Sequence, residues 1–225
     1  SQLGSCYAYL GQHKKAIELH KQALVISREV GDKSTEAAYL VNMSNSYSRL
    51  EQDDLAFQHL SEALVIIRKL GDRGVEGSIL GNIGSVYWQR GEYERAIEYH
   101  TQALAINQET GDRHGEATRL GNLGVSYDRI GQLDLAIEHH TRALAISREV
   151  GAPEGVGLRL PNLSMTHLEG FDDASTALPL LLEAGNIFDA LWAGLTSDND
   201  RVSFGDTNGP IFTVSALQRA HAQLE

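Results

Sequence analysis

Cysteine is all but missing from this 225-residue chain: Cys6 stands alone. A single thiol closes no internal disulfide, so nothing points to an oxidising compartment, and a cytoplasmic location is the expectation. Long apolar runs are missing too. No stretch approaches the roughly 18 apolar residues that a membrane-spanning helix needs. The N-terminus lacks the succession of basic, apolar and small residues that marks a secretory signal. Basic charge is scarce: 19 Lys and Arg stand against 30 Asp and Glu, for a formal net charge of −11. Such a chain is poorly suited to neutralising phosphates or lying on an anionic bilayer, so neither nucleic acid nor membrane is an expected partner.

What is present is apolar content and order. Hydrophobic residues make up 42% of the chain, enough for a packed core. Shifting the sequence by 40 residues aligns it with itself. Asn42, Asn82, Asn122 and Asn162 fall in register, as do Tyr7, Tyr47, Tyr87 and Tyr127. Ala16, Ala56, Ala96 and Ala136 form another column, Ala23, Ala63, Ala103 and Ala143 a further one, and Gly31, Gly71, Gly111 and Gly151 a fifth. Ser1 already lies inside the repeat, which reads as a segment of a longer protein.

Within a unit the period becomes helical. Leu80, Ile83, Gly84 and Tyr87 fall on one face of a helix, Gly91 interrupts, and Ala96, Ile97, His100, Ala103 and Leu104 form a second apolar face. Gly111-Asp112 ends the unit, since Gly suits the left-handed residue after a helix and Asp caps the next one. Each unit is therefore helix A, a turn, helix B and a stop. Helices A are expected near 1–10, 34–50, 74–90, 114–130 and 154–169, and helices B near 13–30, 53–70, 93–110, 133–150 and 173–194. Gly84 and Gly124, with Ala96 and Ala136, are expected to let the two backbones of a hairpin approach closely, while Tyr87 and Leu104 fill the space between hairpins. One hairpin cannot bury its apolar face alone, so neighbours stack into a solenoid with a concave side. Past Gly151-Ala152-Pro153 the columns decay: Pro161 enters helix A, His167 stands in place of Tyr, and Ala177 and Glu183 break their series.

The stretch Leu80-Gly81-Asn82-Ile83-Gly84-Ser85-Val86-Tyr87, followed by Gly91-Glu92-Tyr93-Glu94-Arg95-Ala96-Ile97 and Ala103-Leu104, resembles the tetratricopeptide (TPR) signature, in a 40-residue form rather than the usual length near 34. The Gly-Asp-Arg break and Asn-Leu-Gly helix look like the arrays of Pins/LGN adaptors and of TPR proteins that carry a caspase-like CHAT domain. The resemblance implies an all-α TPR solenoid, a right-handed superhelix of antiparallel helical hairpins. The expected division is repeats over 1–170, a capping helix over 171–195, and a linker with a short helix on Ile211, Val214, Leu217 and Leu224 over 196–225. Leu191-Trp192-Ala193-Gly194-Leu195 and Asp200-Arg201-Val202-Ser203-Phe204 are similar to the segment that precedes CHAT domains.

The expected function is recognition of a protein or peptide in the concave groove. Asn42, Asn82, Asn122 and Asn162 each precede a core position by one residue, and an amide both donates to and accepts from a peptide backbone. In LGN-like arrays the matching asparagines are implied to hold an extended ligand strand; the competing role is a bond to a neighbouring helix. Arg49 and Arg129, near the ends of their A helices, with Arg90, Arg119 and Arg159, point to an acidic or carboxylate-bearing peptide. Pairing with nearby Glu is their plainer use. Trp88 is an expected anchor, since Trp is enriched at interface hot spots. The lysines of carboxylate-clamping TPRs are absent beside the Asn column, where Val41, Gly81, Gly121 and Pro161 stand.

Catalytic residues, metal ligands and cofactors are not expected. His20, His100 and His140 lie a hairpin apart, too far to share a zinc, and read as packing residues. Gly81-Asn82-Ile83-Gly84 follows no strand and so is no phosphate loop. Two rival roles stand beside the scaffold: a regulatory segment for a CHAT protease domain, with residues 196–225 as the coupling tail or as a groove-filling one through Asp198, Asp200 and Asp206, and self-association through the apolar face at residues 3–10.

Overall fold

The computed structural model describes residues 2–194, and the expected linker, tail and short helix over 196–225 lie outside the described residues. The described chain contains ten α-helices in alternation. The A helices are α1 (Gln2–Tyr9), α3 (Lys33–Arg49), α5 (Arg73–Gln89), α7 (Arg113–Arg129) and α9 (Pro153–Met165). The B helices are α2 (His13–Val30), α4 (Asp53–Leu70), α6 (Tyr93–Thr110), α8 (Leu133–Glu149) and α10 (Ala174–Ala193). Each A helix packs on the B helix that follows it. Helical periodicity and Gly-Asp stops thus located nearly every end to within a residue or two.

The stops work through local hydrogen bonds. Gly71 takes φ +73° and its N–H returns to the Ile67 carbonyl. One residue on, the Asp72 carboxylate accepts from the Val75 N–H, and Asp32 and Asp173 do the same for Thr35 and Thr176. Such a cap satisfies donors that the helix itself leaves open. These bonds hold the Asp173 carboxyl down to about 2, with the Thr176 bond foremost.

The chain divides into two compact units, Ser1–Asp112 and Arg113–Glu225. In the first, Leu40, Met43, Leu60, Ile79, Leu80 and Ile83 form a buried core with the alanines Ala56, Ala63, Ala96 and Ala103. In the second, Leu144, Val156, Leu160, Leu163 and Ala184 make one cluster, and Leu168, Ala174 and Ala177 a smaller one. Each fully buried Leu or Ile contributes about 2 kcal/mol.

Buried carboxylates tie neighbouring helices together. Glu36, Glu76 and Glu116 recur at the 40-residue spacing and are all buried. Glu76 accepts from Arg68 at 2.8 Å and from Arg73 at 2.6 Å, and Arg73 reaches on to Glu109 at 2.6 Å. Burial pushes the Glu76 carboxyl up, and the two arginines more than reverse it. Glu36 is held the same way by Lys33 and Arg28. Where Val156 replaces this Glu, Arg148 turns to Glu183 instead.

The apparent decay after residue 165 is a slip in register. The five residues Thr166–Gly170 form a π-turn between α9 and α10. A π-bulge inserts one residue into a helix, and from there the period of 40 becomes 41. Leu168 takes the place that Tyr127 holds one hairpin earlier, Ala177 that of Ala136, and Ala184 that of Ala143; Ala177 and Ala184 are fully buried, as are their counterparts. Asp172 has φ +54°, matching Gly131 at φ +75°. The last hairpin keeps the repeat, and α10 is its B helix.

The same turn position exposes one avoidable strain. Gly11, Gly91 and Gly131 occupy it with positive φ, but the second hairpin places Glu51 there at φ +58°. A left-handed non-glycine residue costs about 1 kcal/mol, part of which Gly gives back as unfolded-state entropy. Glu51→Gly is therefore expected to raise stability by about 0.5 kcal/mol in urea unfolding at unchanged slope.

Candidate interaction face of the A helices

The four asparagines sit where the sequence put them. Asn42, Asn82, Asn122 and Asn162 are half-buried on α3, α5, α7 and α9, each one residue before a buried Met43, Ile83, Leu123 or Leu163. Their backbone carbonyls are in use: Ser46, Ser126 and Thr166 donate to those of Asn42, Asn122 and Asn162 at 3.2, 2.8 and 3.1 Å. Their side-chain amides are not. Among the described residues none of the four is hydrogen-bonded through its side chain to another helix. The pleated row of serines and threonines one turn on satisfies itself against the helix backbone and leaves the amides open.

Arg49 and Arg129 are exposed at the ends of α3 and α7, and neither is in an ion pair among the described residues. Arg49 borders a cavity of about 220 Å³ with Ala8, His13, Asn42 and Asn45. Arg90 is different: it donates to Asp54 at 2.5 Å and lies over the Phe57 ring, 5.9 Å from its centre. Arg119 and Arg159 are half-buried at matching positions of α7 and α9.

Trp88 is half-buried against the core of the first unit, with its indole N–H enclosed. Its ring meets Tyr93 at 6.3 Å. These two residues hold the positions of Ala8 and His13 in the first hairpin, so a Trp–Tyr pair stands in the third where the first leaves its cavity. Tyr47 and Tyr87 are buried, and Tyr127 is half-buried; Tyr127 stacks on His139 at 5.1 Å and Tyr87 on Tyr99 at 5.3 Å.

The recurring spacing of glycine and histidine within the chain has a cause that the sequence reading missed. What faces Gly84 and Gly124 is a histidine ring, and close backbone approach to Ala96 or Ala136 is not the reason for them. A Cβ on Gly4 would stand 2.8 Å from the His20 ring, on Gly84 2.8 Å from His100, and on Gly124 2.6 Å from His140. All three rings are buried. The other two hairpins replace both partners together, with Ser44 and Leu60, and with Ser164 and Leu181. The signal was in the chain: Gly and His appear and vanish in step. Cys6 is exposed, and among the described residues no three His, Cys, Asp or Glu side chains gather as metal ligands would.

Comparison with known proteins decides the family. A tetratricopeptide-repeat family model matches residues 1–69 and 75–149. The chain belongs to the tetratricopeptide-repeat family. A 46-residue segment is 44% identical to G-protein-signaling modulator 1 from Homo sapiens, covering 20% of this chain and 7% of that protein. Among solved structures, BtubC (BKLC) from P. vanneervenii is 24% identical with a TM-score of 0.76, over 87% of this TPR chain and 80% of that one. A putative kinesin light chain with TPR-like repeats from Podosopora anserina is 19% identical with a TM-score of 0.68, over 83% and 92%. The Signal Transduction ATPase with Numerous Domains (STAND) protein with a tetratricopeptide repeat sensor from Pyrococcus horikoshii is 21% identical with a TM-score of 0.75, covering 99% of this chain and 35% of that one. These likenesses show the TPR solenoid fold. No described helix of this TPR array is long and apolar enough to cross a membrane.

Proposed function

We propose that this TPR chain is a scaffold that holds a peptide or partner protein along the A-helix face of each unit. The observation that carries the reading is the set of four half-buried asparagines whose side-chain amides are left open by the rest of the fold. A buried or half-buried polar group ordinarily finds a partner, and an amide offers an extended backbone both a donor and an acceptor. Asn42 and Asn82 serve the first unit, Asn122 and Asn162 the second. Arg49 and Arg129 add exposed positive charge near each, which suits an acidic segment. Trp88 contributes through the packed surface it shares with Tyr93.

The test is binding of the full chain to a peptide library that contains acidic segments, beside a variant carrying Asn82→Ala and Asn122→Ala. Binding is expected to weaken at least tenfold in the variant while its helical circular dichroism is unchanged. Equal binding by both forms contradicts the reading. A second role is a regulatory segment that controls a caspase-like CHAT domain, supported by the likeness of residues 191–195 and 200–204 to the stretch before such domains. A His and Cys pair in a caspase-like layout beyond residue 225 of the full-length sequence supports it, and a full-length sequence without one removes it.

A further inference from the structure

Most arginines placed between the described helices are neutralised. Arg28, Arg68, Arg73, Arg113 and Arg148 each meet a glutamate, and Arg90 meets Asp54. Arg159 does not. It projects from α9 across to α7, where its guanidinium covers Gly121. A Cβ on Gly121 would stand 3.2 Å from the guanidinium carbon, Nε and a terminal nitrogen, so a side chain here would press the guanidinium outward by a few tenths of an ångström. The Nε–H is enclosed and without an acceptor, and Arg159 makes no ion pair among the described residues. From α8 it faces another base, His140, whose pKa it helps to lower. Burial pulls the Arg159 pKa down as well. A cavity of about 500 Å³ opens beside the guanidinium, bounded by His114, Thr118, Ser147 and Leu158, with exposed Glu154 at its rim.

A half-buried guanidinium whose Nε–H is enclosed without an acceptor is costly, because that N–H gives up hydration and receives nothing in return. Guanidinium is also the group best shaped to take a carboxylate through two parallel hydrogen bonds. The surroundings suit a peptide. Asn162 lies one turn along the same face of α9, and Asn122 follows Gly121 directly. We propose that Arg159 is the receptor for a side-chain carboxylate of an acidic peptide laid on the α7–α9 face, with Asn122 and Asn162 engaging the peptide backbone beside it. This rests on the scaffold reading above and adds the chemistry of its ligand. Gly121 is then part of the site, since its missing side chain seats the guanidinium.

The probe is a peptide of alternating Glu and Gly, acetylated and amidated so that its only carboxylates are side chains, with a Gln and Gly peptide as its match. Both are titrated into the full chain while the Arg159 Nε–H resonance is followed by NMR. The Glu peptide is expected to move that resonance saturably, and the Gln peptide to leave it in place. Arg159→Gln should weaken Glu-peptide binding at least tenfold, and Arg142→Gln on α8 should change it less than twofold. If Arg159→Gln fails to fold, Arg159→Lys supplies the second variant: it keeps the charge but cannot form two parallel hydrogen bonds, so Glu-peptide binding is expected to weaken with it too. An unmoved Arg159 resonance, or a variant that binds like the parent, overturns the proposal. Library peptides that depend on Asn82 and Asn122 but not on Arg159 would sink this inference and leave the scaffold standing. If neither the library peptides nor the Glu peptide binds, both readings fall.

Discussion

Gly124→Ser lowers the stability of the second unit by about 2 kcal/mol, and adding His140→Leu restores most of the loss. The single change places a Cβ where the His140 ring lies 2.6 Å away, so the buried ring must shift against its neighbours. Forcing extra atoms into a packed interior costs typically 1–3 kcal/mol. Replacing a helical glycine gains back something under 1 kcal/mol of helix propensity, so the clash wins. The rescue follows from the chain itself. Ser44 stands with Leu60, and Ser164 with Leu181, at the same two positions, all four buried. Ser164 also shows where the hydroxyl goes: it donates to the Ala177 carbonyl at 2.9 Å. Urea unfolding of the parent, the single and the double variant measures the coupling. A double variant no more stable than Gly124→Ser would show that the two residues do not share one space.

Mild acid is expected to destabilise the protein before the buried carboxylates titrate. Burial, with Arg159 and His139 adding to it, takes the His140 pKa from 6.5 to about 4. His20, His59 and His139 are lowered as well, with burial the first cause in each. The unfolded chain takes up these protons below about pH 6.5, whereas the folded chain resists until His140 reaches about 4. Because the unfolded state binds more protons in that window, stability rises with pH across it and is fully present above it. From His140 alone the loss on going from pH 7.5 to below 4 is about 3 kcal/mol, with about 2 kcal/mol already gone at pH 5. The Glu76 and Glu36 carboxyls, held low by their basic neighbours, add a loss only at lower pH. Unfolding in urea at pH 7.5 and pH 5 separates these contributions. The Gly124→Ser, His140→Leu double variant is expected to keep about 2 kcal/mol more of its stability at pH 5. An unchanged pH dependence would show that His140 titrates normally in the fold.

Much of this fold was legible before any coordinates. Columns of Asn, Tyr, Ala and Gly at one spacing fixed the repeat, and the change of period inside each unit fixed helix type. The asparagine positions followed from one-residue offsets relative to Met43, Ile83, Leu123 and Leu163, and the described structure has them there. What escaped notice depended on pairing between columns. A shift of 40 keeps Gly124 in one column and His140 in another, and only their contact shows why both change together. The π-turn at Thr166–Gly170 defeated the fixed period, so His167 and Ala177 looked like decay when the Tyr position had moved on to Leu168 and Ala177 was one residue late. The burial of Glu76 was not legible, because it depends on Arg68 arriving from the end of the preceding hairpin to join Arg73 of its own helix. Arg159 and Arg129 were alike as letters. Burial separates them: Arg129 is exposed, and Arg159 lies in a slot that Gly121 leaves for it.

The central claim is that ligand lies on the A-helix face through the open asparagine amides. NMR of the full chain, with the side-chain amide resonances of Asn42, Asn82, Asn122 and Asn162 followed as the tightest library peptide is added, tests it most directly. The account predicts that these resonances shift saturably, while the exposed face of α4, α6 and α8 stays unperturbed. Shifts confined to those B helices, with all four asparagine amides unmoved, would contradict it.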